Sequence, residues 1–113
     1  MFARMSLRAP AAIAIEIRAH QRRFFRLSDN VGSDGVRLAR PVPLEPGQPA
    51  EVLLVLPDAA AAPLGLLRAT AELASDDGEG EGGCREIAFV EPPSDARQSL
   101  DRYVASRLGL PVR

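Results

Sequence analysis

Two arginines near the start of the chain and a short glycine-containing turn carry the residue types suited to binding an anionic ligand. Arg4 and Arg8 stand in the pattern R-x-x-x-R, and the turn spans residues 30–35, Asn-Val-Gly-Ser-Asp-Gly. A guanidinium group donates paired hydrogen bonds to phosphate and stacks on planar bases. Glycine allows a backbone to approach a ligand closely. These residues indicate recognition of a ligand with phosphates and planar bases, provided that the fold brings the arginines to the turn.

Other kinds of chemistry have fewer candidate residues. His20 is the single histidine and Cys84 the single cysteine, so neither has the partners that a metal site or a nucleophilic triad requires. The acidic segment 76–83, Asp-Asp-Gly-Glu-Gly-Glu-Gly-Gly, lacks the ligand spacing and the closing glutamate of a calcium-binding hand. We therefore predict no metal site, no cofactor and no enzymatic activity.

Length and charge limit the class of protein. The chain has 113 residues, 46% of them hydrophobic, and a formal net charge of −1, which predicts one globular domain and no general attraction to DNA or RNA. A single cysteine fits a reducing compartment, so we expect the cytoplasm. Glu16 and Arg18 interrupt the first apolar run, and no run reaches the roughly 18 apolar residues of a membrane span. We therefore predict no membrane insertion.

Alternation of apolar and polar residues, typical of strands with one buried face, recurs along most of the chain. Between residues 41 and 47, three prolines that cannot donate hydrogen bonds predict a loop or an edge. Over residues 94–108 the apolar positions follow helical spacing, with Ser94 as the expected N-cap and Gly109 as the stop. The predicted strands are 13–17, 24–29, 36–40, 51–57, 67–73 and 85–90.

These strands and the helix predict a mainly β fold, a six-stranded antiparallel β-barrel with a C-terminal α-helix, because closure removes exposed strand edges. If the first two strands form a hairpin, the chain before the first strand and the turn after the second lie at the same end. Arg4 and Arg8 are then expected beside residues 30–35. The predicted single domain over residues 1–113 comprises a flexible arginine arm (1–9), the barrel (10–91) and the helix (94–108).

The order of these features resembles the PilZ domain, a six-stranded barrel with a C-terminal helix that binds cyclic di-GMP in bacteria. In that family an R-x-x-x-R pair precedes a strand hairpin, and [DN]-x-S-x-x-G leads into an apolar strand. Arg4 and Arg8 match the arginine motif, while Asn30 and Gly35 match the first and last positions of the second motif. Gly32 stands where the family usually has serine.

The resemblance implies a cytoplasmic sensor for cyclic di-GMP, with Arg4, Arg8, Asn30, Gly32 and Gly35 as ligand-binding residues. In this interpretation the dinucleotide orders the arginine arm against the barrel and creates a surface that an unidentified effector protein recognises. The alternative is a PilZ-like protein-interaction adaptor that no longer binds nucleotide. Gly32 favours the adaptor, because a lost hydroxyl contact and a freer backbone weaken binding by about 1–2.5 kcal/mol. The arginine pair favours the sensor.

A second pair, Arg22 and Arg26, repeats the same spacing but stands too close to Asn30 for an intervening strand, so we prefer the N-terminal pair. Arg22, Arg23 and Arg26 are expected to form a solvated strand end that opposes the acidic segment. A frayed N-terminus beside a plain hairpin connection is the other interpretation of the preferred pair. An oligonucleotide-binding barrel needs aromatic stacking platforms and a basic groove, which four phenylalanines, one tyrosine and a balanced charge do not supply.

A serine at position 32 tests the resemblance. If residue 32 has a negative φ, Gly32→Ser is expected to add a hydroxyl partner and to tighten binding by about tenfold. If φ is positive, the same substitution is expected to strain the backbone and to lower both stability and affinity.

Overall fold

The computed structural model describes residues 7–57, 64–72 and 82–110. Within these residues, seven β-strands precede one α-helix. The strands are β1 (Arg8–Pro10), β2 (Ala14–Ala19), β3 (Arg22–Gly32), β4 (Gly35–Val42), β5 (Pro49–Leu54), β6 (Leu67–Glu72) and β7 (Cys84–Phe89), and the helix is α1 (Ser94–Leu108).

The described strands form one antiparallel sheet that closes on itself. Its order is β1-β3-β2-β5-β6-β7-β4, and β3 also pairs with β4, which closes a six-stranded barrel of β2 to β7. β1 lies outside this ring and pairs with β3. The predicted barrel with a C-terminal helix is therefore confirmed, and β1 is a strand that the sequence pattern did not indicate.

Strand alternation fills the barrel with apolar side chains. Ile13, Ile15 and Ile17 are buried, whereas Ala14 between them is exposed. Burial stabilises by roughly 25 cal/mol per Å² of apolar surface, so the alternation determines which face of each strand turns inward. The largest fully buried side chains are Ile15, Ile17, Val31, Val36, Leu38, Val42, Val52, Leu54, Leu67, Cys84, Ile87 and Leu100.

Helix α1 packs against the outside strand and the barrel. Its buried residues are Ala96, Leu100 and Val104, and it contacts β1 and β3. Gly109 ends the helix in the left-handed conformation, as predicted, and its amide reaches the carbonyl oxygens of the last turn. No helix in the described part of the chain is both long and apolar enough to span a membrane.

The start of α1 differs from the prediction by one residue. The N-cap is Pro93, which makes no side-chain capping bond, and Ser94 is already helical. Asp95 in the first turn accepts a hydrogen bond from the amide of Ala96 at 2.9 Å. A carboxylate at this position interacts favourably with the helix dipole, so the first turn is stabilised without the predicted serine cap.

Strand β3 exchanges one neighbour for another at Ser28, a buried polar residue. Residues 22–27 pair with β2, and residues 30–32 pair with β1. Between them, the Ser28 hydroxyl donates to the carbonyl of Ala11 and accepts from the amide of Ile13 at 2.9 Å. These two hydrogen bonds hold the connection between β1 and β2 against β3.

Strand β1 changes the expectation for the N-terminal arm. The sequence predicts a flexible arm over residues 1–9, yet Arg8 and Ala9 lie in a strand paired with β3. Ala9 is completely buried, so burial and backbone pairing both hold this strand in place. The remainder of the predicted arm, residues 1–6 with Arg4, lies outside the described residues.

Candidate functional site

The β3–β4 hairpin contains the turn that the sequence singles out. Strand pairing continues to Gly32↔Gly35, so the turn consists of Ser33 and Asp34. Asn30 lies in β3. The predicted six-residue turn is therefore wrong in its length, because the end of β3 has backbone partners in both β1 and β4. A run of turn-forming residues does not reveal such partners.

Gly32 allows β1 to approach the hairpin closely. Arg8 lies opposite Gly32 in the pairing of β1 with β3. A Cβ on Gly32 would lie 2.6 Å from the carbonyl oxygen of Leu7 and 3.1 Å from Cδ of Arg8. Because glycine has no Cβ, the backbone of Leu7 and the stem of Arg8 rest directly on β3. The structure thus brings Arg8 to the turn, where the sequence analysis places it.

The Arg8 guanidinium contacts three side chains from three different parts of the sheet. Nη1 donates to Oδ1 of Asn30 at 2.9 Å, Nε donates to Oδ1 of Asp34 at 3.0 Å, and Nη2 donates to Oε1 of Glu86 at 3.3 Å. The exposed fractions of the charged side chains are 24% for Arg8, 27% for Asp34 and 20% for Glu86. We call these four residues the Arg8 cluster. Its members are partly buried but remain accessible from solvent.

Asp34, Glu86 and Arg37 are charged residues of this site that the sequence analysis did not single out. Nη1 of Arg37 lies 3.5 Å from Oε2 of Glu86, so Glu86 lies between two guanidinium groups. Asp34 stands inside the noted turn sequence and was detectable from its position. Glu86 and Arg37 meet because they are opposite each other in the β4–β7 register, which no spacing in the sequence specifies.

The Arg8 cluster contains a guanidinium that could bind an anion and two carboxylates that compete with such an anion for it. A guanidinium fork binds phosphate through the same N–H groups that here donate to Asp34 and Glu86. A phosphate that accepts two N–H groups of this fork would therefore compete with Asp34, Glu86 or Asn30. In return, the carboxylates and Asn30 hold the Arg8 side chain in one orientation at the hairpin.

Beside the cluster, small residues form the outer face of the barrel. In the strand register Gly35 is opposite Ala88, and Ala88 is opposite Thr70. Ala88 and Thr70 are half-buried. Ala88 lies two residues from Glu86 in β7, so these short side chains are close to the Arg8 cluster.

The fold has counterparts among solved structures, although no family model and no curated protein sequence matches the chain. An inhibitor of motility from Bacillus subtilis (MotI/DgrA) superposes with a TM-score of 0.74 at 18% identity, over 96% of this chain. This chain spans about half, 52%, of that protein. The PilZ domain of CeSA from a cellulose-synthesizing bacterium superposes with a TM-score of 0.60 at 18% identity, over 92% of this chain and 97% of that domain. The chain has a PilZ-like fold.

Position 32 of this PilZ-like domain fulfils the backbone condition for Gly32→Ser but leaves no room for the serine side chain. Gly32 does not have a positive φ. For a residue with this backbone, we predict from the sequence that Gly32→Ser tightens binding. The predicted gain ignores the 2.6 Å separation between a Cβ and the carbonyl oxygen of Leu7. A serine must displace β1, and Arg8 with it. Any affinity gained from the added hydroxyl is therefore offset by the displacement of Arg8 from its position at the hairpin.

The second arginine pair lies in another part of the PilZ-like barrel. Arg22 and Arg26 belong to β3 itself, which confirms that no strand intervenes between them and the hairpin. Arg22 lies over the ring of Phe24, with 4.9 Å between its Cζ and the ring centroid. Arg26 donates to the carbonyls of Phe25 and Pro41. Both arginines are thus engaged away from the Arg8 cluster.

The remaining candidates of the sequence analysis contribute little to the site. His20 lies in the turn between β2 and β3 with a φ of 51°, and Cys84 is buried with its Sγ 3.4 Å from the carbonyl oxygen of Leu44. Among the residues described, no three His, Cys, Asp or Glu side chains are grouped so that they would hold a metal ion. The acidic segment 76–83 lies outside the described residues, apart from its last two glycines.

Proposed function

We propose that this protein is a cyclic di-GMP sensor that acts as an adaptor and not as an enzyme. The observation that carries the proposal is the Arg8 guanidinium beside the β3–β4 hairpin of a PilZ-like barrel. Cyclic di-GMP carries phosphates that suit a guanidinium fork and flat bases that suit arginine stacking and the short side chains of Ala88 and Thr70. Arg4 is proposed to supply a second guanidinium. No cofactor is required for this role.

Binding is proposed to proceed by exchange of ionic partners. Asp34 and Glu86 neutralise Arg8 before the ligand arrives. A phosphate that takes over the Arg8 fork displaces Asp34, Glu86 or both, and a displaced Glu86 retains its ion pair with Arg37. The bound dinucleotide holds Arg4, which precedes β1 in the chain, against the barrel, and an effector protein recognises the combined surface. Because the lost ion pairs oppose binding, the net affinity is lower than unpaired arginines would provide.

Isothermal titration of the purified chain with cyclic di-GMP tests this function directly. We expect saturable heat and a dissociation constant that rises with added NaCl, because salt screens charge attraction to a range of about 10 Å at 0.1 M. Cyclic di-AMP is the matched ligand control. It has the same phosphates but different bases, so a difference in dissociation constant between the two ligands measures recognition of the bases. Absence of both heat and chemical-shift changes at millimolar cyclic di-GMP would contradict the sensor function.

Glu86→Gln is expected to tighten cyclic di-GMP binding by about three- to tenfold. The substitution keeps the size of the side chain but removes one carboxylate that competes for Arg8, a gain of about 1 kcal/mol. Glu72→Gln is the control, because Glu72 is exposed on β6 directly opposite Glu86 and loses the same charge. Equal tightening in both variants would assign the effect to net charge, and no tightening in Glu86→Gln would exclude the proposed exchange.

A PilZ-like adaptor without nucleotide binding is the second candidate function. The observation that favours it is that Arg8 already has amide and carboxylate partners, with β1 docked on Gly32. The arginine strand is then held in place by the protein alone, and the charged surface around Arg8 is itself the surface recognised by a partner. In that case cyclic di-GMP produces no heat in the titration.

A further inference from the structure

A second surface feature lies on β3, beyond the Arg8 cluster. Phe25 and Leu27 point outward from the barrel and are 65% and 55% exposed. They border a groove of about 610 Å³ between β3 and β4. The groove is lined by Ala14, Phe25, Arg26, Leu27, Ala39, Arg40 and Pro41. We call residues 25–27 of β3 and 39–41 of β4 the β3–β4 seam.

Within the seam, residues 25–27 of β3 do not pair with residues 39–41 of β4. The pairing of β3 with β4 begins at Ser28↔Leu38, and residues 22–27 of β3 pair with β2 on their other side. Residues 39–41 fall within the irregular stretch of the β4–β7 register, between Arg37 and Val42. Two strand edges therefore face each other across the groove.

Two backbone carbonyl groups of the seam accept hydrogen bonds from a side chain, Arg26, and not from a neighbouring strand. The Arg26 guanidinium donates to the carbonyl of Phe25 at 2.9 Å and to the carbonyl of Pro41 at 3.1 Å. The hydrogen bond to Phe25 is exposed and the one to Pro41 is partly buried, so a main-chain N–H from another strand can take the place of the guanidinium. An exposed strand edge with apolar side chains beside it is a template for pairing with an added strand.

Charge indicates which kind of strand fits. Among the described residues that line the groove, Arg26 and Arg40 carry a charge, and Arg40 is exposed. Two carboxylates among the described residues lie near the seam. Glu16, opposite Phe25, is paired with Arg18. Asp29 is exposed on β3 two residues beyond Leu27, so the positive charge is greatest at the Arg26 and Arg40 end. A second copy of this chain would bring like charges together at the seam. A partner with carboxylates is favoured on the same grounds.

We propose that the β3–β4 seam binds an extended segment of a partner protein in which apolar and acidic side chains alternate. The segment adds to the edge of β3 as a strand, its apolar side chains pack on Phe25 and Leu27, and its carboxylates lie near Arg40 and Arg26. The main chain provides affinity and the side chains provide selectivity. This proposal is independent of nucleotide binding at the Arg8 cluster.

The probe for the test is a synthetic peptide of about six residues, the length of an ordinary strand, with valine or leucine alternating with glutamate. It is titrated into the full ¹⁵N-labelled chain. We expect saturable amide shifts at Phe25, Leu27, Ala39 and Arg40. Leu27→Lys is expected to weaken binding by about tenfold or more, because it removes an anchor of the apolar contact. Leu66→Lys is the control, since Leu66 is exposed next to β6 and undergoes the same chemical change.

Two further peptides separate the elements of the proposal. Lysine in place of glutamate is expected to abolish the shifts, and N-methylation of alternate backbone amides is expected to do the same. The proposal is overturned by the absence of saturable shifts at millimolar peptide, by shifts outside the seam, or by equal loss of binding in the two leucine variants. Self-association of the chain that disappears in Leu27→Lys would assign the seam to a second copy and would also overturn it.

Discussion

Arg8→Lys is expected to weaken the binding of cyclic di-GMP about thirtyfold while the barrel remains folded. Arg8 presents its donors to Asn30, Asp34 and Glu86 from three different nitrogens, and a phosphate would use the same planar fork. Lysine keeps the charge but has a single donor nitrogen. Loss of one charge-assisted hydrogen bond, at about 2 kcal/mol, corresponds to the expected change in affinity. Isothermal titration measures it, and circular dichroism verifies the fold.

Arg22→Lys is the matched control for this experiment. Arg22 is an exposed arginine at the start of β3, engaged with the Phe24 ring, so the same chemical change there should leave the affinity for cyclic di-GMP unaltered. If Arg22→Lys weakened binding more than Arg8→Lys, the nucleotide site would lie at the other end of β3. The assignment of Arg8 would then be wrong.

Gly35→Ala is expected to destabilise the barrel by about 3 kcal/mol and to lower the melting temperature by on the order of 10 °C. A Cβ on Gly35 would lie 2.3 Å from the carbonyl oxygen of Ile87 and 3.1 Å from Cα of Ala88. Both are backbone atoms of β7, so rotation of a side chain cannot relieve the contact. The hairpin must move away from β7, and the pairing of β4 with β7 weakens. Thermal unfolding followed by circular dichroism measures the loss.

Gly47→Ala separates this packing effect from the general cost of replacing glycine. Gly47 has a φ of +87°, and a Cβ there would have nothing within 4 Å. Its replacement should cost about 1 kcal/mol, from the left-handed backbone alone. A loss of stability in Gly47→Ala as large as that in Gly35→Ala would show that the approach of β4 to β7 is not the cause.

The strands of the barrel were predictable because each has a strong local pattern. The alternating isoleucines from Ile13 to Ile17 and the apolar residues of β5 reflect burial of one face, and burial is a property of each residue and its near neighbours. β1 was not predictable on this basis. Arg8–Pro10 is a short strand, and it forms because residues 30–32 of β3 extend past Leu27, the last β3 residue that pairs with β2.

The N-cap of α1 was also predicted incorrectly from the sequence, by one position. Ser94 is a good N-cap by residue type, but the chain enters α1 with Pro93 in the cap position. The path of the chain from β7 determines which residue becomes the cap. The sequence does not specify the angle at which the helix leaves the barrel.

The sequence by itself determined the arginine beside the hairpin, the glycines at positions 32 and 35, and the apolar alternation that produces a closed barrel. Only the tertiary structure decided that Glu86 and Asp34 bind Arg8, because their meeting depends on the strand register across β3, β4 and β7. The same holds for Gly32, whose importance comes from the strand laid over it. Local patterns report burial and backbone preference, whereas contacts between distant residues arise from sheet pairing, which is selected by the packing of the whole core.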